Sequence, residues 1–290
     1  MPSARALLWT LPWALSLVGC GAGTPLLHPA HPLGRGQLRV GAGASQQVVL
    51  GSVKASIDDA RALGDTNDDI VQDERATFVE GAVADAVATP GLAPFASVRA
   101  GLGKEYEMGV TATGRRVRGD LRHAFLFDDV ALSIGGGIGA ILPNFGSQSP
   151  RTGGGAPKEP EGNQIGRFDG SSISGWTLDL PVLLGIRTRP DVVSGWIGGR
   201  VLYERFTADL TFDFNPNDAL VSAEADGSRF YAGAVAGLCI GFPPVRILLE
   251  LSGGYQSLDA TVRANDGGSF RPRVDGLALT PAFALAADLH

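Results

Sequence analysis

The stretch GWTLDLPVLLGIR, residues 175–187, places an apolar side chain at every second position. Successive side chains of a β-strand point to opposite faces of the sheet. The stretch therefore predicts a strand with one apolar face and one face that carries charge. Its apolar members are Trp176, Leu178, Leu180, Val182, Leu184 and Ile186, and the positions between them include Thr177, Asp179 and Arg187.

The same alternation recurs from about Pro94 to the end of the chain, and a further strand fits from about Gly36 to Leu50. Together these segments predict about ten strands, and several of them run for the ~9–11 residues that a tilted strand needs to cross a bilayer. Their connections alternate between short and long. Tight turns are predicted at Lys104-Glu105, Phe127-Asp128-Asp129, Arg189-Pro190-Asp191 and Phe242-Pro243-Pro244, and long polar loops at roughly 143–172, 212–227 and 263–273.

This pattern resembles that of bacterial outer-membrane β-barrels. The resemblance implies an all-β fold, an antiparallel transmembrane β-barrel of about ten strands with both termini and the short turns on the periplasmic side. A soluble β-sandwich also alternates, so a lipid-anchored soluble β-domain with a binding role is the alternative. Two features depart from the barrel pattern. With 4 Tyr, 4 Trp and 13 Phe the aromatic girdles would be thin, and the chain ends on Leu289-His290 where many barrels end on an aromatic residue.

The first residues predict export. Arg5 precedes an apolar run that ends at Val18, a pattern typical of a signal peptide. The run closes on Leu17-Val18-Gly19-Cys20, which resembles the lipobox of bacterial lipoproteins. This resemblance implies cleavage before Cys20, a lipid on its thiol, and delivery to the outer membrane because Gly21 is not acidic. The alternative is an ordinary export signal with a chance cysteine. The predicted divisions are a signal peptide over 1–19, a lipid-anchored flexible linker over 20–35 and a β-barrel domain over 36–290.

One region between the first two strands has helical spacing. Val71, Arg75, Phe78, Ala82 and Ala86 recur at intervals of three or four and stop before a proline, which predicts a single amphipathic helix over about 70–89. It would cover an edge or rim, or plug the lumen. The acidic residues before it are interpreted as a solvated loop, because a calcium loop would need other residues at two of its positions.

Motifs for catalysis are missing from the sequence. The four histidines, His28, His31, His123 and His290, are dispersed, and none forms a recognisable sequence motif with a nucleophilic Ser or Cys. We therefore predict no enzymatic activity, no metal and no cofactor. The net charge of −6 argues against nucleic acid as a partner. The expected partners are membrane lipid and the outer-membrane assembly machinery.

Charged residues recur on the predicted inward face, where an unpaired charge would be costly. One interpretation is a closed, salt-bridged structural barrel that presents surface loops. The other is a narrow porin-like channel that prefers anions, because Arg116, Arg118 and Arg122 cluster on one strand. The predicted lumen network is Arg99, Glu107, Arg116, Arg118, Asp120, Arg122, Asp179, Arg187, Arg200, Glu204 and Glu250.

Overall fold

The computed structural model describes residues 23–65, 69–143, 165, 167–188, 192–215 and 219–289. The predicted signal peptide, Cys20, the turn at 189–191 and most of the 143–172 loop lie outside these residues. The elements are β1 Leu38–Leu50, α1 Ser52–Gly64, α2 Arg75–Ala88, β2 Gly91–Gly103, β3 Tyr106–Thr113, β4 Arg116–Phe127, β5 Val130–Ile141, β6 Phe168–Arg187, β7 Val193–Phe212, β8 Val221–Phe242, β9 Val245–Ala264, β10 Ser269–Phe270 and β11 Arg273–Leu289.

The sheet closes on itself as an antiparallel barrel. Each strand from β1 to β9 pairs with the next in sequence, and β11 pairs with both β9 and β1. The closing register runs from Leu38 opposite Leu289 to Leu50 opposite Leu277. Ten strands therefore form the wall, and the two-residue β10 adds only a short ribbon beside β9. The predicted all-β barrel of about ten strands is confirmed.

The two ends of the barrel differ in their connections. Three tight turns lie at the end where β1 begins and β11 ends, which we call the lower rim. Lys104 and Glu105 both have positive φ there, of 49° and 60°, the conformation of the type I′ turn that suits the twist of a hairpin. The opposite end, the upper rim, carries the helices and the longer loops.

One side of the wall rises well above the other. Strands β1–β5 have 8 to 13 residues, whereas β6–β9 have 20 to 22. The loop predicted over 212–227 is therefore wrong from Val221 onward, where β8 has already begun. The physical reason is composition, since small and polar residues such as Ala223 and Glu224 alternate there without a strong apolar signal. We call the upper parts of β6, β7, β8, β9 and β11, residues 168–175, 204–212, 221–229, 256–264 and 273–276, the raised wall.

Two helices, and not the single predicted one, connect β1 to β2. The prediction over about 70–89 missed α1, although Val53, Ile57 and Ala60 already mark one buried face of it. The helices approach each other closely at Gly81. A Cβ atom there would lie 1.9 Å from the carbonyl oxygen of Ser56, so only glycine fits this crossing. Neither helix in the described part of the chain is long and apolar enough to cross a membrane.

The helix pair packs against the inward face of the raised wall. Phe78 of α2 meets Phe212 of β7 edge to face, with ring centroids 6.1 Å apart. Both belong to one buried apolar cluster that joins the two helices to β7, β8, β9 and β11. Of the two roles left open for the predicted helix, this position supports the plug, because the pair fills the upper lumen.

The outer surface of the lower barrel is apolar. Side chains such as Leu180, Ile186 and Ile197 are more than 60% exposed. An aromatic row ends this band on the raised side, formed by Trp176, Tyr203, Phe230 and Tyr255 on four successive strands. From Trp176 to Ile186 the band spans the ~9–11 residues of a membrane strand. Above the row, outward positions on the same strands turn polar, at Arg205, Thr207, Asp209, Glu224, Asp259 and Arg263.

Candidate functional site: the barrel lumen

A continuous chain of ion pairs lines the lower lumen. At one end Arg122 contacts Glu107 at 2.8 Å, and Glu107 also pairs with Arg99. Arg99 in turn binds Asp120. Because β2, β3 and β4 are neighbours in register, alternation alone brings these side chains to one face.

The same chain continues across β4, β6 and β7. Asp120 contacts Arg118 at 3.1 Å, and Arg118 pairs with Asp179. Asp179 accepts hydrogen bonds of 2.7 and 2.8 Å from Arg200. Every carboxylate in this chain therefore bridges two arginines.

A second cluster lies higher, below the helix pair. Arg116 donates to both carboxylate oxygens of Glu204, at 2.9 to 3.1 Å, and Arg229 contacts the same carboxylate at 3.5 Å. Arg115 and Arg116 also donate to the main-chain oxygens of Ala86 and Val87 at the end of α2. Positive side chains there satisfy carbonyl groups that have no partner within the helix.

Two members of the predicted lumen set lie outside these ion pairs in the described part of the chain. Arg187 is half-buried where β6 ends at the lower rim, and Glu250 binds main-chain N–H groups. The structure adds inward charges that the prediction omitted. Asp288 accepts hydrogen bonds from Arg39 and Arg246, each at 2.6 Å, and Arg229 joins Glu204. The signal for Arg39, Arg246 and Asp288 was available, because each lies between two outward apolar residues.

The arginine cluster on β4 was predicted to make the lumen prefer anions, but all three arginines are already in ion pairs. Arg116, Arg118 and Arg122 are each paired with a buried carboxylate, namely Glu204, Asp179 and Glu107. The chain of ion pairs and Glu250 together hold four arginines and four carboxylates, so this part of the lumen is close to neutral.

The interior also holds residues 23–34, which we call the threaded segment. The sequence predicted a flexible linker here, but Leu26, Leu27 and Ala30 are at most 1% exposed. They pack on inward side chains that include Leu183 and Trp196. The linker expectation is therefore wrong from Gly23 on: the segment runs through the lumen down to the lower rim, where Gly36 and Gln37 lead into β1.

Charged lumen side chains bind the main chain of this segment. Glu250 accepts the N–H groups of Leu26 and Leu27, each at 2.7 Å. Glu107 accepts the N–H of Leu33 at 2.8 Å. Two arginines donate to its carbonyl groups, Arg200 to Thr24 and Arg122 to Pro29 and His31.

One small cavity lies in the lower lumen. A cavity of about 10 Å³ lies among His28, Asp120, Arg122 and Ser133, which is room for one water molecule. His28, Asp120 and Ser133 line this small cavity, and the Nδ1 atom of His28 lies 3.0 Å from Arg122.

The remaining candidates for metal binding or catalysis have surroundings typical of structural residues. Among the described residues, no group of three or more His, Cys, Asp or Glu side chains could hold a metal ion. Cys239 is fully buried and packs as a small apolar side chain. His123 lies on the outer face between the rings of Tyr106 and Phe125, at 4.5 and 4.7 Å.

Comparison with solved structures finds, among others, three outer-membrane or surface proteins at low identity. The outer membrane protease OmpT from Escherichia coli is 8% identical, with 87% of this chain and 96% of that chain covered and a TM-score of 0.37. Neisserial surface protein A is 10% identical over 87% and 99% of the two chains, with a TM-score of 0.27. A major outer membrane protein from Thermus thermophilus is 10% identical over 87% and 99%, with a TM-score of 0.33.

No protein-family model and no curated protein matches the chain. The assignment of fold rests on the strand pairing itself, which closes through β1 and β11, and on the apolar outer band over a polar interior. The chain thus has the closed, ten-strand antiparallel fold of an outer-membrane β-barrel.

Proposed function

We propose that the protein is a non-enzymatic β-barrel lipoprotein of the bacterial outer membrane, with an upper end that presents loops and a raised wall. Its interior is closed when the threaded segment lies in the lumen, and the lipid on Cys20 reaches the membrane in a second state, in which the segment has left the lumen. One observation carries the proposal: the barrel is apolar outside and filled inside. The outer band exposes large apolar side chains on every strand of the wall. Inside, ion pairs, the threaded segment and the helix pair occupy the space in which a channel would run.

The outer band supports the membrane over a soluble β-domain. Soluble proteins rarely expose continuous apolar patches beyond a few hundred Å². Here Leu180, Ile197, Phe242 and Leu285 are each 59–68% exposed, and they lie on four different strands around the wall. Such a belt is favourable in lipid and costly in water.

The filled lumen supports a structural barrel over a channel. Arg116, Arg118 and Arg122 each already contact a carboxylate, and burying these charges without their partners would be costly. The helix pair closes the upper half and the threaded segment the lower half. A channel remains the second candidate, since removal of the threaded segment would leave a polar interior.

Lipid on Cys20 is proposed from the sequence alone. Cys20 and Gly23 are three positions apart in the sequence, so their Cα atoms are at most about 11 Å apart. Gly23 lies beside Ser45 and Thr280, and Thr280 is about 30 Å along β11 from the lower rim. A lipid in the periplasmic leaflet and the threaded segment in the lumen are therefore alternative states. Mass spectrometry of the native chain and of Cys20→Ser tests the modification, which should be present only in the native chain.

Folding and conductance test the rest of the proposal. The chain from Gly21, refolded into detergent, should migrate faster on a denaturing gel before boiling than after it. In a planar bilayer it should carry no steady current. A soluble monomer formed without detergent would favour the lipid-anchored β-domain, and a steady anion-selective current would favour the channel.

A further inference from the structure

The threaded segment is held through its main chain. Four lumen side chains, Glu107, Arg122, Arg200 and Glu250, bind N–H or C=O groups of the segment. Its own sequence, GTPLLHPAHPLG, contains no Asp, Glu, Lys or Arg. The barrel thus supplies all the formal charge in this contact, and the segment supplies main-chain N–H and C=O groups.

Glu250 shows most clearly that the lumen is built for a peptide. Its side chain lies on β9 and is buried, and among the described residues it forms no ion pair. Both of its oxygens are taken by consecutive N–H groups, those of Leu26 and Leu27. Without the segment a buried carboxylate would lose both donors, which is a costly state for a charged group.

The wall is also shaped to the segment. Gly101 faces it near the lower rim, where a Cβ atom would lie 2.0 Å from the carbonyl oxygen of Gly34. Gly185 faces it on the other side, where a Cβ atom would lie 2.7 Å from the side chain of Ala30. Glycines at these two inward positions leave a groove that a backbone can enter.

The segment combines three prolines with a turn at Leu27, whose φ is 48°, and consecutive N–H groups in a turn can converge on one anionic group. Pro25, Pro29 and Pro32 fix φ and lack N–H groups, so they disfavour helix and sheet. Such a chain is partly ordered before it binds, which lowers the entropy lost on docking. Leu26, Leu27 and Ala30 then fill apolar positions between the charged contacts.

We propose that the lower lumen is a binding site for a proline-containing peptide that turns at two consecutive leucines, and that residues 23–34 are its occupant within the same chain. Glu250 and Glu107 recognise N–H groups of the peptide main chain, and Arg122 recognises its C=O groups. Apolar side chains of the wall contact the two consecutive leucines. The inference rests on the proposed function only in requiring a folded barrel.

The test separates the occupant from its site in the whole protein. A protease recognition sequence is inserted between Arg35 and Gly36, which are exposed at the lower rim. The refolded barrel is cleaved in detergent and washed. A fluorescent synthetic peptide with the sequence of residues 23–35 is then added, and its binding is followed by anisotropy. We expect saturable binding and displacement by the unlabelled peptide.

Matched variants identify the contact. Glu250→Gln should weaken binding by at least about 10-fold, since hydrogen bonds to a charged group are among the stronger ones. Glu224→Gln, on the exposed outer face of β8, is the control and should change binding by less than about 2-fold. Gly101→Ala should also weaken binding, because its methyl group would collide with Gly34.

A modified peptide tests recognition of the main chain. Methylation of the Leu26 and Leu27 amide nitrogens removes both donors and keeps both side chains, so it should weaken binding to the native barrel by at least about 10-fold. It should cost little more in the Glu250→Gln barrel, because the partner is already changed.

The outcomes are distinct. An intact compact gel band without peptide binding, or equal binding by Glu250→Gln, would overturn the peptide site and leave the barrel standing. Loss of the compact band on cleavage would overturn it too, because the segment would then be part of the fold. The uncleaved chain on the same gel shows separately whether the proposed membrane barrel forms.

Discussion

The lower and upper halves of this barrel are filled in opposite ways. Below the aromatic row, the wall is apolar outside and charged inside. Above it, the same strands are polar outside and apolar inside. On β7 the inward positions change from Arg200 and Glu204 to Phe206 and Leu210, while the outward positions change from Ile197 to Asp209.

The difference follows from what surrounds each half. In lipid the outer face must be apolar, and the inner face is free to be polar if its charges are paired. Above the membrane the outer face meets water, so the raised wall and the helix pair form a core like that of a soluble domain. The outer face of one strand thus meets lipid in its lower part and water in its upper part. The point where its apolar residues switch from the outer to the inner face marks the boundary between the two.

The largest losses of stability are expected from substitutions in the upper apolar core and in the lower ion-pair network. Phe78→Ala removes the ring that packs on Phe212 and Phe214 in the upper core. It should destabilise the helix pair by about 3–5 kcal/mol, measured by hydrogen exchange of α2. Val71→Ala, at a half-exposed position, is the control and should cost little. Equal protection in both variants would show that the helices do not depend on this core.

Asp179→Asn removes the negative charge from the ion-pair network of the lower lumen and keeps the shape of the side chain. Arg118 and Arg200 would share a neutral partner inside the barrel, which should cost about 3–5 kcal/mol of the free energy of unfolding. The matched change is Asp226→Asn in the exposed pair with Arg205, which should cost less than about 1 kcal/mol. Urea titration in lipid vesicles measures both. Similar losses would contradict a buried network.

The boundary between the halves is tested on the outer face of β7. Ile197→Arg places a charge in the apolar band and should cost about 2–4 kcal/mol if that band lies near the middle of the bilayer. Thr207→Arg, above the aromatic row, should change the free energy of unfolding by less than about 0.5 kcal/mol. Comparable costs at the two positions would place the membrane elsewhere.

A smaller effect is expected from Asp85 on α2, outside the membrane strands. Burial raises the pKa of Asp85 from 3.8 to about 6, against the opposing charge of Arg61. The folded state then binds a proton that the unfolded chain has released, so stability falls as the pH rises from about 4 to about 6. The change is at most about 3 kcal/mol. Asp85→Asn should flatten this pH dependence of α2 exchange, whereas Asp209→Asn should leave it unchanged.

Much of the lower barrel follows from the sequence. Alternation correctly predicted that Arg99, Glu107 and Asp179 face the lumen. A strand has only two faces, and the face in contact with lipid must be apolar. The same rule could have found Arg39, Arg246 and Asp288. Which carboxylate meets which arginine depends on register and strand tilt, so pairs such as Arg116 with Glu204, far apart in sequence, could not be predicted.

The upper half was harder to predict because its pattern is inverted. Ala223 and Ala225 face inward where outward apolar residues were sought, so the start of β8 was interpreted as a loop. The threaded segment has no periodic pattern at all. Its prolines and uncharged residues suggested a linker, and only the closed barrel supplies the carboxylates and arginines that hold it.

Hydrogen exchange at the main chain of Leu26 and Leu27 tests the filled lumen most directly. In the full chain refolded into detergent, both N–H groups should exchange at least about 100-fold more slowly than in the free peptide, because each donates to buried Glu250. Exchange at the rate of the free peptide, in a barrel whose strands remain protected, would show that the segment lies outside the lumen and would contradict a barrel closed by its own chain.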